Sequence, residues 1–86
     1  MALNLDRVEG SILELLEQHG SLAYDQIAAL LGEWPDVVRD ALSRLRDRRL
    51  IDVLPVGALE GNLTRATSYW RLTDEGRAEL ARLRSS

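Results

Sequence analysis

Apolar residues recur along the first part of the chain at the three- and four-residue spacing of an α-helix with one buried side. The series consists of Leu5, Val8, Ile12, Leu15 and Leu16. It predicts a first helix over about residues 5–18, which Gly20 ends because glycine is a common helix stop. Leu13 falls off this stripe, and an apolar residue on a helix flank often meets something outside the domain.

Two further helical patterns follow with a very short break between them. Their apolar positions are Ile27, Leu30 and Leu31 in the first and Val38, Leu42 and Leu45 in the second. They predict helices over about 24–31 and about 35–48, separated by Gly32 and started again at Pro35, which suits the first turn of a helix. Two helices joined by so short a glycine-containing turn must cross steeply, and this is the helix-turn-helix geometry.

Beyond Arg49 the pattern changes from the helical period to the two-residue period of strands. Apart from Asp52, residues 50–56 are apolar and several are β-branched, and residues 68–72 alternate again. The segment between them is polar and carries glycine, so the two strands are expected to form a hairpin over about 50–72. The loop is longer than a tight turn needs, as expected if its tip projects outwards.

A last helix is predicted over about 74–84. Thr73 can cap it, and Asp74 and Glu75 stand in its first turn, where the helix dipole favours anions. The elements together predict a mainly α fold with a small β-hairpin, organised as one domain over residues 1–86.

Composition supports a folded domain and narrows its chemistry. The chain has 86 residues, of which 45% are hydrophobic and 29% charged, which is an ordinary globular mix. A second domain is not expected at this length. The absence of cysteine excludes thiol catalysis, cysteine zinc sites and disulfides. No apolar run is long enough for a membrane span and no signal peptide is apparent, so a soluble, cytoplasmic protein is expected.

The charge is distributed unevenly. The net charge is -3, but residues 1–37 hold one arginine against seven acidic residues, whereas residues 38–86 hold ten arginines against seven. This asymmetry indicates one basic face. Every basic residue is arginine, which suits bidentate contact with phosphate or guanine, although a codon bias of the source organism is the simpler explanation of this preference.

The side chains that carry catalysis are nearly absent. The chain has one histidine, no glycine loop that cradles phosphate, and carboxylates scattered over helix surfaces. We therefore expect neither an enzyme nor a cofactor or metal site. His19 is interpreted as a cation at a helix end. Trp70 is interpreted as core packing, and Trp34 either as a cover over the second and third helices or as a contact surface.

Several segments resemble the winged helix-turn-helix domains of small bacterial and archaeal regulators such as the MarR, ArsR and PadR families, over roughly residues 8–83. They are Ile27-Ala28-x-x-Leu31-Gly32, Val38-x-x-x-Leu42-x-x-Leu45, Arg49-Leu50-Ile51 and Trp70-Arg71-Leu72-Thr73-Asp74-Glu75-Gly76-Arg77. The resemblance implies a prokaryotic transcriptional regulator that binds double-stranded DNA, with the third helix in the major groove and the hairpin, or wing, on the backbone or minor groove. It also implies a homodimer. A thiol metal sensor is excluded, whereas a small-molecule effector remains possible.

The resemblance also assigns residues to these roles. The implied DNA contacts are Pro35, Asp36, Arg39, Asp40, Ser43 and Arg44 on the third helix, Arg46, Arg48 and Arg49 at its end, and Thr64, Arg65 and Thr67 in the wing. Arg39 is expected to contact a base or a phosphate. The arginines of residues 44–49 are interpreted either as a phosphate anchor or as a solvated helix end. The implied dimer contacts are Leu3, Leu13, Leu80 and Leu83.

The chain departs from the families at the start of the third helix. Trp34 stands where they often have serine or threonine, and Asp36 and Asp40 lie on the face that would read DNA. Each aspartate repels phosphate unless it meets a cytosine amino group or an arginine. With a pI near 5.0, these features motivate an alternative, a winged-helix module that binds a protein and no DNA.

Overall fold

A computed structural model describes residues 5–56 and 67–85 of the chain. The elements in these ranges are α1 (Arg7–His19), β1 (Ser21–Ala23), α2 (Tyr24–Leu31), α3 (Pro35–Asp47), β2 (Ile51–Val56), β3 (Thr67–Leu72) and α4 (Asp74–Ser85). The predicted fold class, a mainly α winged helix-turn-helix, is confirmed. The predicted helices correspond to α1 to α4, and the hairpin corresponds to β2 and β3.

Side-chain caps and glycines set the helix ends. At the start of α1 the backbone N–H of Glu9 donates to Oδ1 of Asp6 at 2.8 Å, and that of Asp6 donates to Oε1 of Glu9 at 3.1 Å. This reciprocal pair is a capping box. Between α2 and α3, Gly32 adopts φ 66°, in the left-handed region that glycine enters without a steric penalty. The sharp turn at Gly32 lets α3 begin at Pro35.

The sheet contains one strand more than the sequence predicted. Among the described residues, β1, β3 and β2 lie side by side in that order, and both pairings are antiparallel. Trp70 of the central strand β3 is paired with Leu22 of β1 on one side and with Val53 of β2 on the other. The segment from Ser21 therefore ties the connection between α1 and α2 to the wing.

Two of the predicted dimer contacts lie in the core of the domain and are corrected here. Leu13 is 0% exposed and Leu80 is 2% exposed, so both belong to the hydrophobic core of the domain. The reason is that α1 packs against α2, α3, α4 and β3, and a helix with so many neighbours is buried over a wide arc. Of the predicted stripe, Leu5, Val8 and Leu15 are only partly buried.

The beginning of α4 is fastened to the beginning of the wing. Thr73 caps α4 as predicted, because its Oγ1 accepts from the N–H of Gly76 at 3.0 Å. The same hydroxyl donates to the carbonyl of Arg49 at 2.7 Å, and the N–H of Thr73 donates to the carbonyl of Leu50 at 3.1 Å. An ideal Cβ on Gly76 would lie 2.0 Å from that carbonyl oxygen of Leu50. The close approach of α4 to the wing therefore requires glycine at this position.

Among the described helices, none combines the length and the apolar character that a membrane span requires.

Candidate nucleic-acid interface

The exposed side of α3 carries a line of carboxylates. Val38, Ala41 and Leu45 face the core. Asp36, Asp40 and Asp47 are exposed, and at about 3.6 residues per turn their spacing places them on the side opposite the core. We call these three residues the acidic ridge. The predicted contacts Asp36 and Asp40 thus occupy the most outward part of the helix.

One flank of this ridge faces a cavity of about 290 Å³ between α3 and the sheet. We call this cavity the α3–β3 trough. It is lined by Tyr24, Arg39, Leu42, Ser43, Arg46 and Trp70. Arg39, Ser43 and Arg46 therefore share one face of α3, and all three are exposed. Two guanidinium groups and a hydroxyl around one cavity with apolar walls make a surface suited to anions.

The other flank of the ridge faces α1. Arg44 lies 3.1 Å from Oδ2 of Asp6 and 3.8 Å from Oε2 of Glu9. Arg48 lies 3.4 Å from the same oxygen of Glu9. Glu9 is only 2% exposed, so these contacts give a nearly buried carboxylate the charged partners that it needs.

The structure consequently divides the predicted arginine cluster. Arg44 and Arg48 point towards α1, whereas Arg46 faces the α3–β3 trough. Arg49 is exposed and adopts φ 62°, an unusual value for a residue with a side chain. The four arginines therefore do not form a single cluster, because two of them already meet carboxylates within the domain.

Sequence reasoning overlooked Glu9 and Tyr24 as parts of this interface. The spacing of Asp6 and Glu9 is the signature of a capping box, so the sequence could have predicted a structural role for Glu9. Its contacts with Arg44 and Arg48 join residues that are far apart in the chain. No local pattern could have shown them.

The remaining predicted contacts have varied positions. Pro35 is the exposed first residue of α3, and Thr67 is the first residue of β3. Thr64, Arg65 and the predicted dimer residue Leu3 lie outside the described residues. Leu83 is 39% exposed near the end of α4.

The two tryptophans differ in burial. Trp70 is partly buried and packs against the core, as its interpretation required. Trp34 is 78% exposed, so the interpretation of this residue as a cover over α2 and α3 is wrong. Leu30 and Val37, on either side of the same turn, are also exposed. The turn between α2 and α3 therefore presents apolar side chains to solvent.

No group of three or more potential metal ligands occurs among the described residues.

Comparison with known proteins places the chain among winged-helix domains. The model of the family described as TFIIE alpha subunit matches residues 5–84. No match is found among curated proteins.

Solved structures give the same fold. RV1404 from Mycobacterium tuberculosis is 28% identical, with a TM-score of 0.79 over 91% of this chain and 50% of that chain. A mutant of Lactococcus lactis ZitR in complex with DNA is 26% identical, with a TM-score of 0.75 over 91% and 49%. The adhesin competence repressor AdcR from Streptococcus pyogenes is 20% identical, with a TM-score of 0.78 over 92% and 55%. The chain thus spans about half the length of the proteins that it matches.

Proposed function

The chain belongs to the TFIIE alpha subunit family, and we propose that it binds double-stranded DNA as a transcriptional regulator. The observation that carries the proposal is the exposed side of α3, where a row of donors, Arg39, Ser43 and Arg46, lies beside the acidic ridge of a helix-turn-helix. The complex of ZitR with DNA, a protein of similar fold, supports the same function. The chain acts by binding and carries out no reaction.

In the proposed complex, α3 lies in the major groove of a specific site. The acidic ridge faces the base edges, where Asp36 or Asp40 accepts a hydrogen bond from the amino group of cytosine. The donors on the trough side contact phosphates of the strand beside them, which fixes the register of the helix. Arg44, which is paired with Asp6 on the α1 side, is exposed enough to reach the opposite strand.

The wing completes the proposed contact with DNA. The antiparallel strands β2 and β3 form the described part of this wing. Thr64, Arg65 and Thr67 belong to this region of the chain. We assign them to the DNA backbone or the minor groove, as in other winged helix-turn-helix domains.

The proposal predicts binding of mixed-sequence duplex DNA that weakens steeply with salt. Arg46→Ala should weaken binding by about 1 kcal/mol and lower the slope of log K against log salt by about one, because one phosphate contact is lost. Fluorescence anisotropy of a labelled duplex, titrated with the chain at two salt concentrations, measures both quantities.

Arg77→Ala is the matched control for this titration. Arg77 is an exposed arginine on α4 and pairs with Asp74 at 3.3 Å, so its removal changes the net charge equally without touching α3. Equal losses for the two variants would show that only net charge matters. Absence of binding by the unaltered chain at low salt would refute the proposed function.

We further propose that the protein acts as a homodimer, in which two copies of α3 meet successive turns of the duplex. With Leu13 and Leu80 buried, the predicted contacts that remain are Leu83 and Leu3. Light scattering at high micromolar concentration should give a dimer mass, and Leu83→Arg should shift it towards the monomer by placing a charge in an apolar contact. A monomer mass for the unaltered chain under these conditions would contradict the dimer.

A second candidate function is supported by the exposure of Trp34. An exposed tryptophan beside Leu30 and Val37 is typical of protein contact surfaces. A module that binds a protein and no DNA would show no salt-dependent binding in the titration above. If the chain regulates through DNA alone, Trp34→Ala should leave the salt slope unchanged, because Trp34 is not among the residues that line the α3–β3 trough.

A further inference from the structure

The contact between Tyr24 and Arg39 joins the first residue of α2 to the middle of α3. The guanidinium carbon of Arg39 lies 5.5 Å from the centroid of the Tyr24 ring, within the range of a cation–π interaction. The same guanidinium donates to the hydroxyl of Tyr24 at 3.4 Å. These two contacts hold the side chain of Arg39 on the side of α3 that faces Tyr24.

The direction of Arg39 matters because it leads into the α3–β3 trough. Arg39, Ser43 and Arg46 all line this cavity, and none of its six lining residues carries a carboxylate. The nearest carboxylate that pairs with Arg39 belongs to Asp36, at 3.9 Å, and its side chain is 93% exposed. Such an exposed pair contributes little, so the trough keeps its positive charge.

The size and walls of the trough suit a phosphate group. Its volume of about 290 Å³ exceeds the roughly 30 Å³ that one water molecule occupies in the liquid, so a tetrahedral anion fits. Leu42 and Trp70 supply apolar walls, and partial exclusion of water strengthens hydrogen bonds between guanidinium groups and phosphate. Because a guanidinium has five N–H donors, Arg39 can keep its contact with Tyr24 while it binds an anion.

We propose that Tyr24 is a positioning residue, which turns Arg39 into the α3–β3 trough and so assigns it to a backbone phosphate rather than to a base edge. The inference rests on the proposed function and deepens it. Arg39, Ser43 and Arg46 hold the phosphate, while the acidic ridge faces the bases. Arg39 then adds affinity for every duplex and contributes nothing to the choice of sequence.

The first test compares two substitutions of Tyr24 in duplex binding. Tyr24→Leu removes the ring and should weaken binding on the order of threefold, with a smaller salt slope although no charge is lost. Tyr24→Phe keeps the ring and should remain within about twofold of the unaltered chain. Thermal unfolding of each variant confirms that the domain is folded at the temperature of the titration.

The coupling of Tyr24 with Arg39 is tested in the same assay by combining substitutions. In an Arg39→Ala background, Tyr24→Leu should cost no further affinity, because it acts only through Arg39. A full additional loss would show that Tyr24 acts independently, and would overturn the inference.

The assignment of Arg39 to a phosphate is tested with an A·T-only and a G·C-only duplex. Arg39→Ala should weaken both by the same factor, since both carry the same backbone. A loss confined to the G·C duplex would mean that Arg39 reads guanine, which is the opposite result.

Trp70 reports directly on the trough. In a Trp34→Phe variant Trp70 is the sole tryptophan, and its fluorescence should change on addition of duplex DNA. Inorganic phosphate at matched ionic strength should not reproduce this change at millimolar concentration. If phosphate changes the fluorescence and duplex DNA does not, the trough is a site for free phosphate and the assignment to DNA is wrong.

The outcomes separate this inference from the proposed function. If the unaltered chain binds no duplex, the proposed function itself fails. If it binds and Arg39→Ala weakens binding, but Tyr24→Leu matches the unaltered chain in affinity and slope, only the positioning role of Tyr24 fails.

Discussion

Replacement of Gly76 by alanine is expected to destabilise the domain by about 3 kcal/mol, at the upper end of the usual cost of overpacking. The added Cβ would lie 2.0 Å from the carbonyl oxygen of Leu50 and 3.1 Å from Cδ2 of Leu72. A backbone carbonyl cannot rotate away as a flexible side chain can. The whole of α4 must therefore move, and the hydrogen bond from the N–H of Thr73 to the same carbonyl weakens with it.

Gly10→Ala is the matched control for this prediction. Gly10 also lies inside a helix, but nothing stands within 4 Å of the position of its added Cβ. Alanine there should stabilise the domain by about 0.5–1 kcal/mol, because glycine loses more backbone entropy in a helix. Thermal unfolding measures both, at roughly 4–8 °C per kcal/mol for a domain of this size. Shifts of the same sign for the two variants would contradict the close approach at Gly76.

Leu13→Ala is expected to cost about 3 kcal/mol, as is usual when a fully buried leucine is truncated. Leu13 has no exposed surface, so alanine leaves a cavity among the helices around α1. The core position of Leu13 also predicts how the loss of stability depends on protein concentration. Since the loss occurs within one domain, the difference in Tm between the unaltered chain and the variant should not change with protein concentration. Thermal unfolding over a wide range of concentrations measures it.

Leu83→Ala serves as the comparison for Leu13→Ala. Leu83 is 39% exposed, so in dilute solution, where the proposed dimer is dissociated, the same truncation should cost well under about 1 kcal/mol. The contrary outcome is a loss for Leu13→Ala that appears only where the protein is concentrated. This result would show that Leu13 lies at an interface between subunits and would contradict its place in the core.

The helices could be predicted from the sequence because their determinants are local. The helical spacing of apolar residues predicts where each helix lies, and the signals at the helix ends act only on neighbouring residues. These signals are Gly20, Gly32, Pro35 and Thr73, and the structure contains all four predicted helices. The strand β1, from Ser21 to Ala23, was missed because three residues carry almost no periodic signal. It exists through its pairing with β3, a partner far along the chain.

The candidate site was only partly predictable for a related reason. The helical period indicated which residues of α3 face away from the core, and Arg39, Asp36 and Asp40 are indeed exposed. The directions of the arginine side chains depend instead on Tyr24, Asp6 and Glu9, which belong to other elements. Trp34 was misjudged because burial of a turn residue depends on packing that no local pattern encodes.

The contacts between α1 and the arginines of α3 also bear on how the protein would respond to its ionic surroundings. Each phosphate neutralised by a protein cation releases nearly one condensed counterion from DNA, and this release drives much of the affinity. Arg44 and Arg48 are already neutralised in part by Asp6 and Glu9, so in the proposed complex they release fewer counterions than their number suggests. The domain therefore gives up part of this driving force, and the salt dependence of its affinity, although steep, is smaller than the number of arginines on α3 suggests.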